Sequence, residues 1–582
     1  MENKALFKLL GSTLFDPAEH LNWLDRAKVS YDRFRALNAE LKINRQDVMN
    51  FSKKLQLIHE WVGCVDGTLM TIMSIHYNLC LGSILRLGTK TPAVEKVIAE
   101  LESLESFGVY LGTELGYGNN LFGLQTRAEY DPSKKIFKLT TPSVEAKKYM
   151  PNTGHPEVPK IAVVFARLFS RGEDCGIHPF IVRIRAKSGE LCPGVQVSLL
   201  GEKPGYHLDN AVTTFNNVEI PYDFILLGDE SRLTPEGEFS SQIKSPRRRF
   251  LNAIDAVQAG KLSFAGAIST GALVGCKIAY RYASQKRTFA PQHEDVPLLS
   301  YNNQKMDIYT SFAKSLAIKA LYVKSLHVYS RNPIVRDEKK TLYSSMAKYF
   351  SSSQGQEVFL RLRERLGAQG MFCHNRVIEY LNYVFGIVSA EGDNQVIQLK
   401  IAKDLVFEKK LRDWLFSGNW SRRKSLMSAE HCFDLIKSRE NLLVRDIKTS
   451  FFVGKIKSKS TYTIWNEEIN RSLQLGEVHV LRVALGEMLD RADEGEIHHD
   501  ARLVKQMAHL VMLDYIQKHQ GWFLCKGLIS NRQVERWNQS MNKILQSLEL
   551  PMSQALEEIE APPELLRSPL LSGTMTESFA QF

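Results

Sequence analysis

The spacing of apolar positions along this chain changes period three times. In the first hundred residues, "WLDRAKVSYDRFRALNAEL" and "AVEKVIAELESLESF" place apolar residues three or four apart, which predicts amphipathic helices. From about residue 106 the period shortens to two. "YDPSKKIFKLTTP" is a turn signal followed by alternation, and "KIAVVFARLF", "HPFIVRIR", "GVQVSLL" and "AVTTFNNVEIP" are short Val-, Ile-, Phe- and Thr-rich runs divided by Gly and Pro. Helical spacing returns from about residue 250. "LNAIDAVQAGKLSFAGAISTGALVGCKIAYRYASQKR" and "YNNQKMDIYTSFAKSLAIKALYVKSLHVYSR" are each long enough for a helix of about 30 residues, as a bundle uses. "DARLVKQMAHLVMLDYIQKH" and "RQVERWNQSMNKILQSLEL" continue the helical pattern, and "APPELLRSPLLSGTMTESFAQF" loses it.

The expectation is a multi-domain α+β protein. It has an N-terminal helical domain (1–105), a central β-barrel or sandwich domain (106–235), a C-terminal helical bundle (236–415) and an extra C-terminal helical domain with a loose tail (416–582). A length of 582 residues requires more than one core in any case.

Composition narrows the class. With 44% hydrophobic and 24% charged residues, the chain has ordinary globular proportions. Its most apolar stretch, "LSFAGAISTGALVGCKIA", is rich in Gly, Ala and Ser, which predicts a closely packed buried helix and no membrane span. "MENKALFKLLGSTLF" shows no signal-peptide cleavage pattern and "SFAQF" is not an SKL-type address. With eight scattered cysteines and no CxxC pair, this predicts a reduced, cytoplasmic protein. A net charge of +11 points to an anionic partner such as a phosphate-bearing ligand or an acidic carrier protein. Nucleic acid is not expected, since the only basic runs are "SPRRRF" and "SRRKS" and no nucleic-acid motif is present.

Four stretches carry candidate chemistry. "LGTELGYGNNLFGL" offers glycines, a hydroxyl and amides to a polar planar ligand, or is a glycine-rich domain connection. It is not a GxGxxG fingerprint, because no strand is expected before it. In "YRYASQKRTF", Arg287 either reaches a phosphate or, with Arg281 and Lys286, complements a helix C-terminus. In "RLGAQGMFCHNRVIEY", Gly367 and Gly370 allow close backbone approach or stop a helix. In "SAEGDNQVIQL", Asp393 or Asn394 caps the following helix and leaves Glu391 in the turn before it, facing an apolar cavity as a base or facing solvent. His498, His499 and His509 lack an HExxH-type pattern, so a helix start is expected there and no metal. The segment 400–424 has eight Lys/Arg against three Asp/Glu and reads as a solvated face or a docking site for an acidic carrier.

Together and in this order, the motifs resemble the acyl-CoA dehydrogenase and oxidase superfamily, most closely the long acyl-CoA oxidases, over about residues 50–415. "TELGYGNNLFGLQTRAEYDPSKKIFKLTTPS" is similar to the oxidases' TE-hydrophobe-GHGT…GLET-A-YDP stretch. "GYHLDNAVTTFNNVEIPYDFIL", "LLSYNNQK", "RLGAQGM" and "EGDNQVIQLKIAKDL" follow in family order. The resemblance implies FAD. Thr113, Gly116 and Gly118 would face the flavin, with Asn152 beside it. Arg287 and Gln304 would meet the phosphates, usually from the other subunit of a homodimer, and Gln369 and Gly370 would lie near the adenosine. Asp393 adjoins the cofactor, Lys261 sits at a family arginine read as substrate-binding, and Glu391 falls on the catalytic glutamate.

The implied reaction is α,β-dehydrogenation of an acyl-CoA, or of a carrier-protein thioester, to a trans-2-enoyl thioester. Glu391 would take the α-proton as a hydride leaves the β-carbon for the flavin, which O2 or an electron-transfer flavoprotein would reoxidise. A flavin-free, non-catalytic scaffold is the alternative from another class. The sequence departs from the family at "KYMPNTG" in place of the "WWPGG" region, at Ala368 in place of the second glycine of its turn, and at Lys261, which keeps the charge but loses the guanidinium fork.

Overall fold

The computed structural model describes residues 2–205, 207–408 and 425–572. The chain forms two compact units. One runs to Ala267 and includes Val328–Thr341; the other comprises Ile268–His327 and the residues from Leu342 on.

The first unit begins with helices and continues into strands. Asn22 accepts from Leu24 and Asp25 N–H to start Trp23–Leu41, and Thr91 with a first-turn proline starts Pro92–Glu102. Strand Lys160–Ser170 pairs with Phe107–Leu111, Arg127–Asp131 and Glu173–Arg185. Ile136–Thr140 and Val218–Pro221 extend the Arg127–Asp131 side, making a six-stranded mixed sheet. A three-stranded sheet of Lys148–Tyr149, Ala211–Phe215 and Val195–Leu199 accompanies it. Val109, Phe137, Leu139, Val164, Phe180 and Phe215 are among the residues that fill the core. Alternation places them there: Ile136–Thr140 buries Phe137 and Leu139 and leaves the residues between them half-exposed.

The second unit is helical. Long helices Val257–Gln285, Asn302–Ser330 and Glu338–Arg365, each of which has one end in the first unit, have 29, 29 and 28 residues, the first two as the spacing predicts. The small residues of the first serve close packing. A Cβ on Gly275 would come within 3.2 Å of Leu362, and one on Gly271 within ordinary contact of Tyr380 and Phe359. Val257–Gln285 and Gly67–Leu87 are both long and apolar enough to cross a membrane, and in each 89% of the apolar window is buried inside the fold. Helices Ala429–Ile456, Ile469–Asp490, Ala501–Lys518 and Asn531–Glu558 make up most of the C-terminal region.

Three expectations are corrected. Residues 562–572, read as part of a loose tail, form two short helices with Leu565, Leu566, Leu570 and Leu571 buried. Arg376 Nε holds the Leu566 carbonyl at 2.7 Å, so burial of leucine outweighs the lack of period. A strand, Phe107–Leu111, does precede the glycine-rich loop, but strand Arg127–Asp131 follows it and no long helix, so the loop still lacks the nucleotide fingerprint's context. Arg287 is not at a helix end, because the helix stops at Gln285 and Arg287 opens a hairpin with His293–Pro297. The last ten residues and most of the basic 400–424 segment lie outside the described residues.

Candidate active site

Glu391 stands in the turn between helices Val377–Ser389 and Asn394–Glu408. The first ends at Ala390, whose backbone is extended. The second starts at an Asp393 cap, whose carboxylate accepts from Gln395 N–H at 2.8 Å. Between them, Glu391 has a φ of 56° and Gly392 a φ of 102°. Glycine adopts this backbone freely, whereas for glutamate it costs about 1–2 kcal/mol. Glycine at 391 would relax the turn, so the half-buried carboxylate is what the strain maintains. A carboxylate of short reach on a fixed turn suits a general base.

The loop after strand Phe107–Leu111 is fastened at its start. Thr113 is exposed, and its carbonyl accepts from Tyr149 N–H at 3.0 Å. Its neighbour Glu114 is fully buried and accepts from Gln125 N–H at 2.7 Å, Thr126 N–H at 2.9 Å and the Lys148 ammonium at 3.0 Å. Lys148, also fully buried, donates to the Phe165 carbonyl at 2.7 Å as well. Burial draws its ammonium down to about 8 while Glu114 pulls the other way. Gly116 is tight: a Cβ there would lie 2.7 Å from Glu145 Cβ. Gly118 is open, with no atom within 4 Å of where a Cβ would stand.

Asn152 is buried with its amide donating to the Tyr31 hydroxyl at 3.0 Å. Its carbonyl accepts from Lys160 at 2.8 Å, and Lys160 and Tyr31 both meet Asp209. Burial lowers the Lys160 ammonium to about 8, opposed by Asp209. The "KYMPNTG" departure therefore brings its asparagine into a buried polar cluster. Lys261 is buried, 3.4 Å from Gln258 Oε1.

In the second unit, exposed Arg287 donates to Asp295 Oδ1 at 3.0 Å. Gln304, near the start of Asn302–Ser330, is 8% exposed, and its buried Oε1 has no partner. Gln369 accepts from Asn375 through both its carbonyl and its side chain. Gly370 packs against its own chain, since a Cβ would stand 2.2 Å from the Arg363 carbonyl oxygen. The long helix ends at Arg365, just before this glycine pair. Gly118 leaves open space where a Cβ would stand, and, in the second unit, the Gln304 oxygen is a buried acceptor left for a donor to fill.

The sequence reading did not single out Lys348, Lys160 or the Glu114–Lys148 pair. Their signal is a lysine inside an otherwise buried run, as in "SSMAKYFSSS", where Met346 through Phe350 are all buried. Of the three histidines, His498 and His499 form a metal-like group with Glu558, and His509 instead meets the Leu426 carbonyl at 2.9 Å. His498 Nδ1 accepts from Asp500 N–H at 3.1 Å, which leaves the ring proton on Nε2, the atom facing Glu558. That tautomer opposes metal ligation through Nε2.

A family model described as the acyl-CoA oxidase C-alpha1 domain matches residues 259–406, which contain Lys261, Arg287, Gln304, Gln369, Gly370, Glu391 and Asp393. Peroxisomal acyl-coenzyme A oxidase 2 of Arabidopsis thaliana is 27% identical over 575 residues, covering 91% of this chain and 81% of its own. Human peroxisomal acyl-coenzyme A oxidase 3 is 28% identical over 399 residues, 64% of this chain and 56% of its own. Acyl-CoA oxidase-1 of Caenorhabditis elegans, solved in complex with FAD and ATP, superposes with a TM-score of 0.85 at 18% identity, covering 100% of this chain and 90% of its own.

The cytoplasmic expectation is overturned, since these relatives are named as peroxisomal proteins. The eight free cysteines argue only for reduced thiols and do not separate one reducing compartment from another. Residues 259–406 thus match the acyl-CoA oxidase C-alpha1 domain, the chain is similar to acyl-CoA oxidases over most of its length, and it shares their fold.

Proposed function

We propose that this chain catalyses the α,β-dehydrogenation of an acyl-CoA to the trans-2-enoyl-CoA with O2 as final oxidant, releasing hydrogen peroxide, and that it works in a peroxisomal setting. The observation that carries the reading is Glu391, a carboxylate held at positive φ on a turn capped by Asp393, in the stretch that matches the oxidase family. Glu391 is the base that takes the substrate α-proton. Its half-burial limits competing hydration, and the turn limits its reach. FAD, when bound, supplies the acceptor for the hydride that leaves the β-carbon.

The remaining roles belong to the same reading. Exposed Thr113 and open Gly118 present a hydroxyl and backbone to the flavin, with Gly116 shaping the loop. Asn152 stands beside the flavin with its amide committed to Tyr31 and its carbonyl to Lys160, so it shapes that edge and offers no side-chain bond. Arg287 and Gln304 serve the phosphates, Arg287 through its guanidinium and Gln304 through its side-chain NH2, since its Oε1 accepts as the phosphate oxygens do. Gln369, Gly370 and Asp393 complete the cofactor contacts, Lys261 serves the substrate, and the working form is a homodimer.

Anaerobic mixing with a panel of acyl-CoAs tests this. Loss of flavin absorbance near about 450 nm with one chain length identifies the substrate, and recolouring in air with stoichiometric peroxide marks an oxidase. Glu391→Gln is expected to retain FAD and lose bleaching; bleaching at the wild-type rate removes Glu391 as the base.

A further inference from the structure

We infer that Lys348 is the positioning residue of the Glu391 turn, an inference that rests on reading Glu391 as the base. Lys348 lies in the Glu338–Arg365 helix and is fully buried. An ammonium has three protons to give. Lys348 Nζ donates to the Val388 carbonyl at 3.1 Å, to the Gly392 carbonyl and to Asn394 Oδ1 at 2.9 Å. The three acceptors bracket Glu391. Val388 belongs to the last turn of the incoming helix, Gly392 to the turn itself and Asn394 to the first turn of the outgoing helix.

The two carbonyls are acceptors that the backbone leaves open. Carbonyls at a helix C-terminus and in a two-residue turn have no helical donor, and buried ones must find another. One side chain from a third helix satisfies them together and so fixes the two helix ends relative to each other. The Asn394 carboxamide is itself oriented. Its Nδ2 donates to Ser352 Oγ at 2.9 Å, and Ser352 Oγ donates to the Lys348 carbonyl at 2.8 Å, one turn along the same helix. That orientation directs Oδ1 to Lys348. A turn with two successive positive-φ residues persists when its surroundings over-determine it, and Lys348 with Asn394 and Ser352 does so here. Lysine serves better than arginine, because its compact head has rotatable donors that can reach three convergent oxygens.

Lys348→Met keeps the length and apolar stem of the side chain and removes the donors. The expected result is a flavin-bleaching rate constant, per bound flavin, lowered about 100-fold, the loss that a misplacement of about 1 Å produces, with acyl-CoA dissociation changed less than about threefold. A residue needed only for stability would lower the yield of holoenzyme and leave the rate constant per flavin unchanged. Amide hydrogen exchange on flavin-free protein gives a readout independent of turnover: protection in peptides covering 388–396 should fall and the rest of the chain should hold. Ser352→Ala, which disturbs only the orientation of Asn394, should move both readouts in the same direction by about a tenth as much; it carries the test if Lys348→Met does not fold. A wild-type rate constant together with unchanged exchange at 388–396 in either folded variant overturns the inference. Wild-type protein that bleaches with no acyl-CoA overturns the reading of Glu391 instead, and exchange then decides for or against the tie alone.

Discussion

Lys148→Met offers a direct measure of how firmly the Thr113 loop is built. Lys148 and Glu114 are both fully buried and lie 3.0 Å apart. Removing the ammonium strips a donor from the carbonyls of Phe165 at 2.7 Å and Gly112 at 3.3 Å, each worth about 1 kcal/mol. It also leaves a buried carboxylate without its counter-charge, and breaking one side of a buried pair costs about 3–5 kcal/mol. Glu114 retains the Gln125 and Thr126 amides and the Thr126 hydroxyl, so the lower half of that range applies, about 3–4 kcal/mol, and with the two lost carbonyl bonds the total is about 5–6 kcal/mol.

Glu114→Gln should cost more. Its NH2 must face one of the donors that the carboxylate now accepts from, and Lys148 is left charged and unmatched. Urea unfolding, read by amide exchange in peptides from 107–170, measures both variants and the double variant. A coupling of about 2 kcal/mol between the two positions is expected. Because Thr113 lies between Gly112 and Glu114, FAD affinity should fall with stability in each variant. A cost below about 1 kcal/mol for Lys148→Met, or strict additivity in the double, would refute the reasoning.

Two further outcomes follow from other parts of the molecule. Burial raises the Glu440 carboxyl, but the His479 ring at 3.1 Å and Arg482 outweigh it and hold the group at about 2. A depressed carboxylate stabilises the fold above its unfolded value of 4.5, and that contribution fades as pH falls towards about 2; the shift corresponds to about 3 kcal/mol. The stability gap between wild type and Glu440→Gln should therefore close between about pH 5 and pH 2, and a gap constant with pH in urea titrations would contradict it. Gly118→Ala, where a Cβ meets nothing, should leave stability within about 0.5 kcal/mol yet weaken FAD binding, whereas Gly370→Ala, 2.2 Å from the Arg363 carbonyl oxygen, should lose about 3 kcal/mol; equal thermal shifts would remove the distinction.

The periods of the sequence made the fold class legible, because helix and strand spacing depend on local burial. "WLDRAKVSYDRFRALNAEL" is a helix over its whole length, Trp23–Leu41. The strand Phe107–Leu111 was not legible, since "FGVYL" is five residues long, includes a glycine and follows a helical run. The packed end at 562–572 was missed because its leucines are fixed by partners distant in the chain, Arg376 among them. At the site, the Asp393 cap could be read from "EGDN", because capping is a contact between near neighbours. Lys348 could not, because it acts on a turn forty residues later, and only tertiary structure brings them together.

Lys148, Lys160 and Lys348 share one construction. Each is fully buried, and each donates to main-chain carbonyls of a segment given a role at the site: Gly112 and Phe165, Asn152, and Val388 with Gly392. A loop held through its own side chains changes shape when those side chains change. A loop held through its carbonyls does not, because every residue carries the same oxygen. Desolvating an ammonium is costly, and three short bonds to oxygen offset that cost only when the oxygens are already convergent. The lysine therefore selects one backbone path and tolerates many sequences along it. On this argument "KYMPNTG" can carry Asn152 at a family glycine, provided that its carbonyl still reaches Lys160. Substitutions along these loops should then alter specificity more readily than flavin binding, while loss of any of the three lysines should impair the loop whatever its sequence.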